Sequence, residues 1–164
     1  MWPLADGRTA SYVIRTDFGT RLVEAKLAAA PPILGSPSFT LDSPGGPSRL
    51  AWHRGRLLAA SLGGTRFEPP LPLAISGSGS RSANWRGKVI TYGAVAAGSA
   101  TLEQAPSNIT VAGRSFRSVK ATIWFQSLES DMELVTHYVS GIGPVWQEQR
   151  SRGLFDIGFE YLRS

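Results

Sequence analysis

The chain contains no cysteine among its 164 residues. Disulfides, thiolate zinc sites and cysteine nucleophiles are therefore excluded. Histidine is almost as scarce, because His53 and His137 are the only two, and their spacing does not place two imidazoles on one face of a strand or helix. A two-histidine site would need the fold to bring distant residues together, so we expect no bound metal and no cofactor.

Apolar runs long enough to form a transmembrane helix are also missing. The first residues, Met1 to Leu4, show neither the basic region nor the apolar region of a signal peptide. An exported protein with this sequence would therefore need a signal or lipoprotein leader that lies outside the present sequence.

Lysine is rare, and arginines supply most of the formal net charge of +5. The arginines are spread along the chain instead of being clustered in one segment. Dispersed cations usually form a solvated surface, and a basic composition alone is weak evidence for a polyanionic partner. We therefore do not expect nucleic-acid binding.

Glycine and proline are abundant, with 18 and 11 residues, and 42% of the chain is hydrophobic. This composition is typical of a folded protein with many turns and many short strands. We expect one β domain over residues 1–164, in which residues 1–40 either complete the sheet or form a peripheral N-terminal hairpin.

Alternating apolar residues in the last third of the chain favour β-strands. One predicted strand carries Val119, Ala121, Ile123 and Phe125 on a single face, and the last strand carries Phe155, Ile157, Phe159 and Tyr161. No long amphipathic helix is predicted to cover such a face. The sequence therefore predicts an all-β fold, an antiparallel meander curled into a half-barrel or barrel.

Three segments need an interpretation of their own. Arg21 to Ala30 fits a strand or a short helix, and its hairpin context favours a strand. Ala97-Gly98-Ser99 is interpreted as the turn of a hairpin between Lys88 to Ala96 and Ala100 to Gln104. Phe67 to Leu73 contains three prolines that lack an N–H, so we expect an extended edge or crossing segment.

Two glycine-containing corners join strands near the C-terminus. One contains Gly113, and the other contains Gly141, Gly143 and Pro144. Glycine can adopt conformations that are closed to other residues, and proline fixes φ. A phosphate-binding loop would need a helix behind the glycines, whereas Val145 begins a predicted strand. We therefore interpret both segments as structural corners.

These corners carry a resemblance to a known family. The steps from Val111 to Phe116 and from Tyr138 to Val145, followed by a last strand ending at Tyr161-Leu162, resemble the C-terminal pattern of bacterial exported lipoproteins and periplasmic proteins of undefined function. The earlier segment Pro70 to Leu73 and the strand start at Asn84-Trp85 are similar to the middle of that family. The chain departs from the pattern at Ser140 and Trp146, among other positions.

The resemblance implies a non-enzymatic, all-β domain in the bacterial periplasm or cell envelope, with a binding or structural role. One alternative is a carrier that holds a lipid or other apolar ligand in a concave sheet. A second alternative is a cryptic hydrolase, although the sequence has no G-x-S-x-G nucleophile motif. Glu129, Asp131 and Glu133 cluster at one turn, which favours a solvated loop over a catalytic or calcium site.

Aromatic and apolar residues provide the candidate ligand-binding positions. Trp124 and Trp146 lie on strand faces shared with polar residues, where they either cover the second face of the sheet or form an exposed surface for a partner. The carrier alternative would use a cavity lined by Ile123, Phe125, Phe155 and Phe159. The candidate partners are an envelope protein, a glycan or a lipid.

Overall fold

The computed structural model describes residues 2–16, 19–42, 46–128 and 131–151, and the backbone of 157–163. These residues form twelve strands and no helix. The strands are β1 (Thr9–Thr16), β2 (Gly19–Ile33), β3 (Ser36–Leu41), β4 (Ser48–His53), β5 (Arg56–Leu62), β6 (Thr65–Ile75), β7 (Arg81–Thr91), β8 (Ala94–Val111), β9 (Arg114–Ser127), β10 (Asp131–Val139), β11 (Gly143–Ser151) and β12 (Ile157–Arg163). The predicted all-β class is confirmed.

Each strand pairs antiparallel with its neighbours in sequence, and β12 returns to pair with β1, so the meander closes into a barrel. Residues 9–33 belong to this sheet, because β1 pairs with both β2 and β12. The segment Arg21 to Ala30 is part of strand β2, as its hairpin context predicted. In the part of the chain that the structure describes, there is no helix that could span a membrane.

Two-residue turns close several of the hairpins. Leu34-Gly35, Arg54-Gly55, Tyr92-Gly93 and Ala112-Gly113 all have positive φ at both positions. This is the backbone of a type I′ turn, whose twist matches that of the flanking strands. Gly113 is thus a structural corner, as predicted.

The predicted hairpin turn at Ala97-Gly98-Ser99 is wrong. These residues lie inside the long strand β8, and the chain reverses at Tyr92-Gly93 instead. Gly98 serves packing, because a Cβ added there would lie 2.7 Å from Val89 Cγ2 and 3.1 Å from Phe125 Cζ. A glycine inside a strand can mark a close approach of side chains as well as a turn.

The prediction of an edge or crossing segment at Phe67 to Leu73 is also wrong. Strand β6 lies between β5 and β7, although its register with β7 covers only the three pairs from Arg66 to Glu68. Beyond them, side chains replace the ladder: the Trp85 indole N–H donates to the Pro69 carbonyl at 2.8 Å. Gln104, which is buried, accepts from the Ile75 N–H at 2.9 Å and donates to the Ile75 carbonyl at 2.8 Å.

Side chains of β4 to β10 pack inside the barrel around an aromatic cluster. The rings of Phe67, Trp85 and Phe125 lie 5.9 to 6.1 Å apart, in edge-on and tilted arrangements. Leu57, Leu71 and other buried aliphatic residues of β4 to β10 pack around them. Such pairs add to the free energy gained by burying apolar area.

The segment before β1 closes one end of the barrel. Trp2 is only 7% exposed and belongs to the main core. Its carbonyl accepts a hydrogen bond from the Trp52 indole at 2.8 Å. Arg8 donates to the carbonyls of Gly141 and Ile142 at 3.1 and 3.0 Å. The N-terminal segment is therefore tied to the corner between β10 and β11.

Candidate functional site

Trp124 is the exposed tryptophan of the outer sheet surface. Strand β9 turns Ile123 and Phe125 into the core and leaves the Trp124 side chain 42% exposed on the opposite face. In the register, Trp124 lies opposite Glu133 of β10, and Glu133 lies opposite Arg150 of β11. An indole, a carboxylate and a guanidinium thus follow one another across three strands.

An open depression of about 400 Å³ lies beside this row. Its lining consists of Trp124, Phe125, Gln126, Asp131, Met132, Glu133, Arg150 and Ser151. The depression combines apolar surface with an amide, two carboxylates and a guanidinium, so it offers both hydrogen-bond donors and acceptors. The Arg150 guanidinium is held in place by an ion pair with Glu148, at 2.8 Å.

Of the acidic cluster at the turn before β10, the structure describes two residues. Asp131 and Glu133 both line the depression, and Glu129 lies outside the described residues. Among the residues that the structure describes, no group of three potential ligands could hold a metal ion. Asp131 and Glu133 are polar groups in the lining of the depression.

Trp146 lies in a different environment. It is half-buried on β11 opposite His137, and the two rings make an edge-on contact with centroids 5.6 Å apart. Across β9, β10 and β11, Thr122, Val135 and Glu148 form the next row on the same face as Trp124. Trp146 lies in the row beyond that one. The structure thus does not bring the two predicted tryptophans into one site.

His137 is buried behind Trp146 and is hydrogen-bonded to Ser118, with 3.0 Å between Oγ and Nδ1. Burial, and to a smaller extent the positive charge of Lys120, lowers the pKa of His137 from its ordinary value of 6.5. A serine beside a histidine is one element of a hydrolytic site. Ser118 and His137 are both less than a tenth exposed, so a substrate would need to displace the covering side chains to reach them.

The apolar residues predicted to line a ligand cavity are core residues where they can be described. Ile123 and Phe125 are 2% and 4% exposed and pack within the main cluster, and Phe125, together with its register partner Met132, also lines the depression beside Trp124. Phe155 lies outside the described residues, and for Phe159 the structure describes the backbone, which pairs with Ile14 and Gln147. Their role as ligand contacts stays a prediction.

The second corner has the predicted backbone and an additional role. Gly141 and Gly143 both have positive φ, at 80° and 114°, and Pro144 follows within β11. A Cβ added to Gly143 would collide with the Trp2 indole, with Cγ only 2.8 Å away. Sequence reasoning missed this contact, and it missed the contributions of Gln126 and Arg150 to the depression.

No family model matches the chain, and no curated protein matches it. Among solved structures, the chain is similar to the crystal structure of the hypothetical lipoprotein YmcC from Escherichia coli K12. The TM-score is 0.49 and the sequence identity 12%, over 94% of this chain and 84% of that one. With an identity this low, no function is transferred from that protein.

Proposed function

We propose that the chain is a non-catalytic binding domain of the bacterial cell envelope, periplasmic or lipoprotein-like, and that the depression beside Trp124 binds a glycan. The observation that carries this proposal is the 42% exposure of Trp124 at the edge of an open depression of about 400 Å³. An exposed indole next to polar groups is typical of a site that orients a ligand.

The chemistry of the lining favours a sugar over the other candidate partners. A sugar ring presents C–H groups on one face and hydroxyl groups around its edge. The face can lie on the indole of Trp124, while Gln126, Glu133 and Arg150 supply donors and acceptors for the hydroxyl groups. An acyl chain would desolvate the Gln126 amide and the Glu133 carboxylate without offering either a hydrogen bond, which costs free energy.

The packing of the interior between β4 and β10 argues against the alternative of a lipid carrier. A carrier needs room among its inward side chains, where this barrel holds Phe67, Trp85 and Phe125 in mutual contact. A second depression, beside Trp2 and Tyr12, has a volume of about 10 Å³. That volume suits about one water molecule and no acyl chain.

The envelope location is supported by the C-terminal sequence pattern. The residues that carry the resemblance to exported bacterial proteins form real corners of this barrel, at Gly113, Gly141 and Gly143. Polysaccharides are major components of bacterial envelopes, so a glycan ligand fits that location.

Calorimetric titration with two soluble ligands, an N-acetylglucosamine tetramer and a glucose tetramer, tests the proposed site. We expect saturable binding of at least one oligosaccharide, which Trp124→Ala weakens by about tenfold or more, because stacked aromatic contacts are worth on the order of 1 kcal/mol and more. Trp124→Phe keeps a flat ring and should retain part of the affinity.

Leu128→Ala is the matched control. Leu128 is exposed next to the depression but is not among the residues that line it, so this variant should bind like the parent. The free energy of unfolding of Trp124→Ala should lie within about 1 kcal/mol of that of the parent, as expected for an exposed side chain. A large loss of stability would make Trp124 a core residue, and equal binding by Trp124→Ala and the parent would refute the site.

A further inference from the structure

The hairpin between β7 and β8 ends in an exposed segment without charge. We call residues 90–97 the hairpin tip; no charged residue or histidine occurs from Val89 to Leu102. Tyr92 at the apex is fully exposed, and Val95 is 62% exposed. Large apolar side chains at a protruding, uncharged turn are typical of an interaction surface.

The strand register gives the tip its reach. β7 and β8 pair as far as Thr91 and Ala94, whereas among the described residues β9 pairs with β8 only from Gly98 onward. On the β9 side the tip therefore extends about four residues past the end of that strand, which is roughly 13 Å at 3.3 Å per residue. On the other side β6 flanks the tip, because Arg66 pairs with Ile90 and the Thr65 and Thr91 hydroxyls are hydrogen-bonded at 3.1 Å, so only the turn at Tyr92-Gly93 projects past β6.

Tyr92 occupies the first position of its turn with a φ of 49°, as Leu34, Arg54 and Ala112 do in the other two-residue turns. The turn position alone therefore does not distinguish Tyr92. Its ring is fully exposed, so packing within the barrel does not account for an aromatic side chain there.

Cations lie directly behind the apolar apex. Lys88 and Arg86 are exposed on the outer face of β7, opposite Ala97 and Ser99. Glu68 is the acidic residue opposite Lys88, and it is already paired with Arg66 at 3.0 Å. The four charged groups behind the tip thus sum to a positive charge.

We propose that the hairpin tip docks this protein onto an anionic phospholipid surface, with Tyr92 and Val95 in the interfacial layer and Lys88 and Arg86 at the lipid phosphates. Tyrosine is favoured at the depth of lipid headgroups, and interfacial segments bury their apolar face by about 5–10 Å, a depth that the tip covers on its β9 side. A convex tip suits a deformable lipid layer better than the flat surface of a stable protein interface. This inference does not depend on the glycan site.

The absence of cysteine allows a direct test with the full chain. Single Tyr92→Cys and Leu34→Cys variants are labelled with an environment-sensitive nitrobenzoxadiazole fluorophore and mixed with vesicles of phosphatidylcholine and phosphatidylglycerol at 3:1. Leu34 is the matched position, since it is also exposed, has a φ of 50° and precedes a glycine, but lies at the opposite end of the barrel. We expect a blue shift at position 92 and none at position 34.

Unlabelled variants give a second readout in vesicle co-sedimentation. Tyr92→Asn suits the type I′ turn and should preserve the fold, yet it should weaken vesicle binding about tenfold, whereas Leu34→Asn should not. Lys88→Gln should weaken binding about fivefold, as one cation near an anionic surface contributes about 1 kcal/mol. Binding should fall with added salt and be lost on pure phosphatidylcholine.

Three results would overturn the proposal. The first is vesicle binding by the parent that Tyr92→Asn and Leu34→Asn reduce equally, because non-specific hydrophobic adsorption would then account for it. The second is no binding to the anionic vesicles together with a concentration-dependent dimer that Tyr92→Asn disrupts, because the tip would then contact a second copy. The third is a monomer that does not bind the vesicles.

Discussion

Replacing Gly143 by alanine should destabilise the barrel through a residue at the other end of the sequence. Gly143 has a φ of 114°, a conformation that strains any residue with a Cβ. The added methyl would also collide with the Trp2 indole, which is 7% exposed and closes one end of the core. Neither residue can move away without losing contacts. Gly143 lies at the start of a paired strand, and Trp2 contacts Tyr138 and Trp52.

The expected magnitude follows from these two effects. Backbone strain at a positive φ costs roughly 1–2 kcal/mol for a non-glycine residue. Expelling Trp2 from the core costs about 3–5 kcal/mol, the usual range for truncating a buried aromatic side chain. Gly143→Ala should therefore lower the free energy of unfolding by about 4–7 kcal/mol, a large part of the 5–15 kcal/mol typical of a folded domain.

Urea denaturation of four variants separates the two effects. Gly141→Ala is the matched control, since Gly141 also has a positive φ but a Cβ there meets no atom within 4 Å, so it should show the strain alone. In a Trp2→Ala background the collision is gone, and Gly143→Ala should then cost only about 1–2 kcal/mol. If Gly143→Ala costs no more than Gly141→Ala, or if its cost is unchanged by Trp2→Ala, the reasoning is wrong.

Two further perturbations act on buried polar groups. Gln104→Leu removes three hydrogen bonds to the backbone at and after the end of β6. Measured by urea denaturation, the free energy of unfolding should fall by about 2–4 kcal/mol. The control Gln126→Leu, on the exposed face, should change it by less than about 0.5 kcal/mol. Equal effects of the two substitutions would contradict the role of Gln104. The pKa of His137 is below 6.5 in the folded state. As the pH drops, His137 therefore binds a proton in the unfolded chain before it does so in the folded state. The free energy of unfolding should thus fall as the pH drops through about 6.5. The free energy of unfolding should change by at most about 1.4 kcal/mol per pH unit, and His137→Gln should remove this dependence. If the pH profile of stability is the same in His137→Gln as in the parent, the assignment to His137 is refuted.

The alternation of residues along β9 could be predicted because it is a local property. Side chains of a strand point to opposite faces in turn, so Ile123 and Phe125 were expected to share one face and Trp124 to occupy the other. The structure confirms this arrangement, with Ile123 and Phe125 in the core and Trp124 exposed. The depression itself could not be predicted from this local property, because the register of three strands places Glu133 and Arg150 in one row with Trp124.

Glycine occurs both in turns and inside strands of this barrel, and the sequence alone did not separate the two cases. Gly98 lies in a segment of small residues that resembles a turn, but it is a strand residue that leaves room for Val89 and Phe125. The true turn, Tyr92-Gly93, was hidden because its first position holds an aromatic residue instead of the favoured asparagine or aspartate. The full exposure of the Tyr92 ring, and not its place in the turn, is what directs attention to the tip as an interaction surface.

Strand β6 shows why a rule about one residue type can fail inside a closed barrel. Prolines cannot donate to a ladder, which correctly predicts that the pairing of Phe67 to Leu73 is interrupted. An interrupted strand need not lie at an edge, however, if side chains from its neighbours supply the missing partners. Here Trp85 of β7 donates to the Pro69 carbonyl, and Gln104 of β8 reaches the backbone where β6 ends. Both side chains are buried, so the contacts that replace the ladder are part of the core, and β6 lies between two strands although its prolines interrupt the pairing.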